Sequence, residues 1–132
     1  MPDKSIAQKL FIKPGNKVLL INSPASYRSQ MGELPKGAII LSDSSCLVQV
    51  IQVFVANHEE LEAQLPRLKE QLAPKEVLWV TYHKGTSRVK TDINRDTINA
   101  YAHSIGLEGV VMISIDKDWS ALRLKLIYAG LN

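Results

Sequence analysis

Short apolar runs alternate along the chain with longer stretches in which apolar residues recur every three or four positions. Lys4 to Ile12 carries Ile6, Leu10 and Phe11 as a partial helical stripe, which Pro14-Gly15 stops. Val18-Leu19-Leu20-Ile21 is an unbroken apolar run that suits a strand covered on both faces, although its length also suits a buried helical turn. In Asn22-Ser23-Pro24, Ser23 fits an N-cap and Pro24 the first helical position. They predict a short helix toward Met31, ended by Gly32. Pro35-Lys36-Gly37 then makes a turn before a strand from Ala38 to Leu41.

Leu47 to Ala56, rich in β-branched residues, is the strongest strand signal in the chain. Asn57 follows as an N-cap with Glu60 at the capping-box position, and Leu61, Leu65, Leu68 and Leu72 then recur at helical spacing. Pro66 should kink that helix or begin a new first turn, and Pro74 closes the segment. Val77 to Tyr82 is a further buried strand. After a polar loop from His83 to Lys90, Thr91 or Asp92 can cap a helix that ends at Gly106. Val110 to Ile115 reads as a strand, Asp116-Lys117-Asp118 as a turn and Ala121 to Tyr128 as a final strand. In that last strand Leu122, Leu124 and Leu126 alternate with Arg123, Lys125 and Ile127, so one face should meet water.

Strands interleaved with helices predict an α/β fold, because a parallel crossover needs a helix to return the chain. The expected architecture is a three-layer, Rossmann-like, mostly parallel sheet of about six strands with a C-terminal antiparallel hairpin and helices on both faces. The length of 132 residues fits a single domain over residues 1–132, long enough to bury a core without a staple. Apolar residues make up 45% and charged residues 22%, which excludes a disordered chain. The lone Cys46 excludes an internal disulfide framework and fits a reducing cytoplasm. No apolar run reaches the roughly 20 residues of a membrane span, and the N-terminal stretch has too few apolar residues for a secretory signal. A formal net charge of +3 is too mild to argue for nucleic acid.

Three stretches resemble the Rossmann-like fold of S-adenosylmethionine-dependent methyltransferases. Ile12-Lys13-Pro14-Gly15 before Val18 to Ile21 is similar to the approach to their first strand. Leu72-Ala73-Pro74-Lys75 before Val77 to Val80 is similar to the approach to their fifth, and Val110 to Tyr128 to their sixth and seventh strands. Lys84 to Asp96 and Ile115 to Arg123 resemble a family of small bacterial proteins of unknown function, a likeness that implies a fold but no activity. In the methyltransferase pattern the last strand inserts beside the fifth; the alternation in this chain equally suits an exposed edge.

A nucleotide or S-adenosylmethionine site of this type usually takes glycines after the first strand, so that the backbone can approach the ligand. Ile21-Asn22-Ser23-Pro24-Ala25-Ser26 has none, and Pro24 removes a backbone donor and stiffens the turn. Asp43 could bind a ribose or be a plain turn residue. The usual cofactor mode is thereby disfavoured, and no cofactor is expected. Lys84 to Arg95 holds Lys84, Arg88, Lys90 and Arg95 against the single acid Asp92, together with Thr86, Ser87 and Thr91. It follows a strand and enters a helix, where backbone donors favour an anion. The plainer reading is a solvated loop whose Thr91 and Asp92 cap the helix.

Arg95 and Asp96 can pair locally, and Asn94 suits either a helix start or a ligand donor. Trp119 can close a pocket, anchor a dimer face or plug the hairpin. His83 is the best placed general base, although no pattern gives it an orienting partner. The scattered histidines and single cysteine form no zinc pattern, so no metal is expected. The basic loop lacks interleaved aromatics, which argues against nucleic acid.

Two readings of different class follow. One is a cytoplasmic Rossmann-like module without methyl-transfer chemistry. It would bind a small anionic ligand or a protein partner through Lys84, Thr86, Ser87, Lys90, Thr91 and Arg95, with Trp119 at the rim. The alternative is an S-adenosylmethionine-dependent methyltransferase with an atypical loop, its cofactor near Asn22 to Ser26. A homo-oligomer is compatible with both.

Overall fold

Val18, Leu19 and Leu20 are all buried, which is why their run is unbroken: β1 (Lys17–Ile21) lies inside a sheet covered on both sides. The computed structural model describes residues 6–25, 27–41, 48–84 and 91–127. After β1 come β2 (Ile39–Leu41), β3 (Val48–Phe54), β4 (Leu72–His83), β5 (Leu107–Ser114) and β6 (Trp119–Leu126). The helices are α1 (Ile6–Lys9), α2 (Tyr27–Gln30), α3 (His58–Gln71) and α4 (Arg95–Ser104).

The six-stranded sheet has the order β2-β1-β3-β4-β6-β5. β2, β1, β3 and β4 are parallel, whereas β6 runs antiparallel to both β4 and β5. The architecture is therefore α/β and Rossmann-like, as the alternation of elements predicts. The last strand is internal: β6 sits between β4 and β5, and the outer strand is β5. Its alternation still has a reason, since Leu122 and Leu124 face one core and Ala121 the other, while Arg123 is half-buried and Lys125 is exposed.

Each face carries its own core. Leu61, Leu65 and Leu68 of α3 and Ile98 and Ala102 of α4 pack on one side. Ile6 and Ala7 of α1, Leu10, Tyr27 and Met31 pack on the other, around Trp79. Burying such side chains contributes roughly 1.5–3 kcal/mol each relative to exposure, as an upper estimate. The Trp79 indole Nε1–H donates to Leu10 O at 3.2 Å and ties the N-terminal segment across the sheet.

Four local expectations need correction. Ser23 and Pro24 do not start a helix; Pro24 O accepts the Tyr27 N–H in a turn, and α2 begins at Tyr27 and lasts four residues. α3 runs through Pro66 as one element and stops at Gln71, so Leu72 opens β4 rather than completing a helical stripe. α4 is capped by Asn94, not by Thr91 or Asp92. β6 starts at Trp119, two residues before the expected Ala121. The predicted roles of Ser26, Asp43, Cys46 and Tyr128 lie outside the described residues.

Candidate functional site

The parallel strands β1, β3 and β4 end together at Ile21, Phe54 and His83, and β6 starts beside them because His83 pairs with Trp119. Ligands of open α/β sheets bind beyond this edge. On the α3/α4 side, a cleft of about 410 Å³ is lined by Tyr82, Lys84, Asn94, Arg95, Asp96, Met112 and Ser120. A second hollow of about 230 Å³ shares Arg95, Asp96 and Met112 and continues along β5 past Asn99 and Gly109.

The structure brings Lys84 and Arg95 to one cleft. The Lys84 ammonium donates to Ser114 Oγ at 2.6 Å, and its backbone N–H to Asp118 O at 2.8 Å, so the lysine stands against the hairpin. Arg95 Nε lies 3.4 Å from Asp96 Oδ1 in an exposed pair worth about 0–1 kcal/mol. Thr91 serves the fold: its hydroxyl donates to Ala56 O at 2.6 Å. Asp92 Oδ1 accepts the His58 N–H at 2.7 Å, so this short stretch ties the start of α4 to the start of α3. Thr86, Ser87, Arg88 and Lys90 lie outside the described residues.

Trp119 belongs to the opposite face. Its ring stacks on His83 with centroids 3.9 Å apart and meets Phe54 edge-on at 4.9 Å, and Phe54 in turn meets Tyr27 at 4.7 Å. The strand period of two explains the separation: Tyr82 and Lys84 point to one side of β4 and His83 to the other. Sequence reasoning missed Tyr82, Ser120 and Met112. The same period held the signal, because Tyr82 follows Val80 and Ser120 precedes Leu122 on the face that α4 covers.

Burial pushes the Tyr82 hydroxyl above its usual pKa; Arg95 opposes the shift and Asp96 adds to it. The hydroxyl donates to Met112 Sδ at 3.0 Å, and it stays protonated at neutral pH as a donor at the cleft wall. At the corner after β1, Asn22 adopts φ +61°, the left-handed conformation that glycine takes most readily. The chain thus makes its sharp turn there without glycine. Among the described residues no group of three or more His, Cys, Asp or Glu could hold a metal ion.

No protein-family profile matches the chain, and no curated protein matches it. Solved structures do. A SAM-dependent methyltransferase from Aquifex aeolicus is similar at a TM-score of 0.62 and 15% identity, over 91% of this chain and 87% of that one. An rRNA methylase from Streptococcus thermophilus gives 0.58 at 9% identity, over 96% and 99% of the two chains. A complex of DhpI with SAH gives 0.61 at 10% identity, over 92% and 83%. The fold is that of the S-adenosylmethionine-dependent methyltransferases. At these identities the likeness concerns the fold.

Proposed function

We propose that this chain binds an S-adenosylmethionine-type nucleoside at the carboxyl ends of β1 and β3 and acts as a small methyltransferase on an anionic substrate. The observation that carries the reading is the insertion of antiparallel β6 between β4 and β5 after a parallel half-sheet, the topology of the methyltransferase fold. The left-handed Asn22 supports it, since that residue lets the backbone turn beneath a ligand. Ser23 would offer a hydroxyl there, and the bound donor would supply an electrophilic methyl group. Lys84 and Arg95 would hold the substrate's negative charge, and the protonated Tyr82 would donate to it by giving up its hydrogen bond to Met112 Sδ.

A second reading is the module without methyl transfer, taking a small anion or a protein partner at Lys84 and Arg95. The serine-proline corner in place of glycines favours it, because Pro24 offers no backbone donor. Calorimetric titration with S-adenosylmethionine and with its demethylated product separates the two. The methyltransferase reading expects saturable binding of both nucleosides, weakened by Asn22→Val. No saturable binding at millimolar nucleoside, with inorganic phosphate still binding and lost in Lys84→Ala/Arg95→Ala, would overturn it in favour of the second.

A further inference from the structure

We infer that the cleft at Lys84 and Arg95 takes a small amphiphilic acid, its anionic head at the carboxyl edge and its apolar ring or chain laid in the hollow between α4 and β5. The inference rests on the Lys84–Arg95 anion site, which both functional readings share, and not on the nucleoside.

The two hollows form one trench with unlike ends. At the carboxyl edge stand Lys84, Arg95 and Asp96. Asp96 opposes the two cations, but its side chain is 84% exposed and lies against Arg95 at 3.4 Å, so the mouth keeps a net positive charge. From there α4 descends along the sheet, and Asn99, four residues after Arg95, lies about 6 Å deeper on the same helix face. Past Asp96 the lining residues are Asn99, Gly109, Val110, Val111, Met112 and Leu122, none of them charged.

A β-bulge builds the wall of this trench. Gly109 pairs with Leu124 and Val111 already with Arg123, so β5 carries one residue more than β6 here. Gly109 and Met112 are three positions apart and would face opposite sides of a regular strand. The bulge turns both to the α4 side, because their partners Leu124 and Leu122 both belong to the α3/α4 core. Met112, 44% exposed, forms an adaptable upper wall. Gly109 forms the lower one through the side chain it lacks. A Cβ there would stand 3.0 Å from Asn99 Oδ1 and 3.4 Å from the Leu122 methyl carbons, between two residues that line the hollow. Asn99 Oδ1 accepts the Gly109 N–H at 2.9 Å, which ties α4 to β5 at the deep end.

A bare anion would use only the mouth and leave the apolar part of the trench to water. An acid with an apolar body satisfies both ends: its charge meets Lys84 and Arg95, and its body removes Met112 and Val110 surface from water. The cleft of about 410 Å³ falls within the roughly 300–1,000 Å³ of small-molecule sites. The further hollow of about 230 Å³ gives the body its room.

Calorimetric titration with inorganic phosphate, butyl phosphate and hexyl phosphate tests the inference. Inorganic phosphate should bind weakly. Butyl phosphate should bind more tightly and hexyl phosphate more tightly again, by roughly two- to fourfold for each methylene. The heat-capacity change should become more negative with the longer chain. Gly109→Ala should remove most of the gain of hexyl over butyl phosphate and leave the binding of inorganic phosphate unchanged. Met112→Gln replaces an exposed side chain and so keeps the fold should alanine at 109 disturb it. It should weaken both alkyl phosphates by roughly threefold or more, again with inorganic phosphate unchanged. Inorganic phosphate that binds, and is lost in Lys84→Ala/Arg95→Ala, while the alkyl phosphates bind no more tightly, would overturn the inference and leave the anion site standing. Failure of all three probes to bind would overturn the anion site and the inference with it. An alkyl gain undiminished in both Gly109→Ala and Met112→Gln would put the chain elsewhere and overturn the inference as well.

Discussion

Tyr27 shows how one buried hydroxyl links α2 to the sheet. It donates to Gln52 Oε1 at 3.0 Å, and Gln52 Nε2 donates to Thr81 Oγ1 at 2.9 Å, so three polar groups inside the core satisfy one another. Burial, opposed by the Gln52 hydrogen bond and aided by the charge of Asp116, pushes the Tyr27 hydroxyl well above the ordinary tyrosine range. A folded-state value above the unfolded one stabilises the fold below the unfolded pKa, and that contribution is lost as pH rises through the folded value. The urea midpoint should therefore fall above about pH 10. Tyr27→Phe should lessen that alkaline fall. It should also destabilise the protein by about 1–3 kcal/mol at neutral pH, because Gln52 Oε1 is left buried without its donor. Asn22 gives a second prediction at this scale. Asn22→Gly should change stability little, whereas Asn22→Val should cost about 1–2 kcal/mol in denaturant unfolding, because a β-branched residue resists the left-handed turn.

At the scale of elements, the start of α4 shows where propensity misleads. Thr91, Asp92 and Asn94 are all good caps, and residue type alone does not choose among them. Asn94 wins because its side chain accepts the Thr97 N–H at 3.0 Å while Thr97 Oγ1 accepts the Asn94 N–H at 2.8 Å. Ile93 before the cap and Ile98 in the first turn are both buried in the α3/α4 core, the arrangement of a hydrophobic staple. That spacing was legible as Ile93-Asn94 followed by Thr97-Ile98, but threonine stands where glutamate usually marks the box. Asn94→Ala should lower stability by about 1 kcal/mol in urea unfolding, and Thr91→Ala should loosen the contact to Ala56 instead. α3 is the converse case: Asn57 Oδ1 accepts the Glu60 N–H at 2.9 Å as its pattern predicts, while Glu60 reaches back one residue further, to the Ala56 N–H.

For the whole molecule, the sheet separates two cores that share no side chains, so small changes on opposite faces should add. Ile98→Val on the α4 face and Ile12→Val on the α1 face should each cost about 0.5–1.5 kcal/mol. Their double variant should match the sum within about 0.5 kcal/mol in denaturant unfolding. The sequence by itself determined the alternation of strands and helices, the buried character of β1, β3 and β4, and the closing hairpin, because these rest on local periodicity and turn chemistry. It also pointed to Lys84 and Arg95, which flank the end of a strand and the start of a helix and so lie at the carboxyl edge in any parallel sheet. Only the tertiary structure decided that β6 lies inside and β5 outside, since Leu122, Leu124 and Ala121 meet their partners only after the two faces have closed. It alone put Trp119 on the side opposite Lys84, and exposed Val110 to Met112 at an open edge. Side-chain period is local, but which strand a side chain lies beside depends on contacts far apart in the chain.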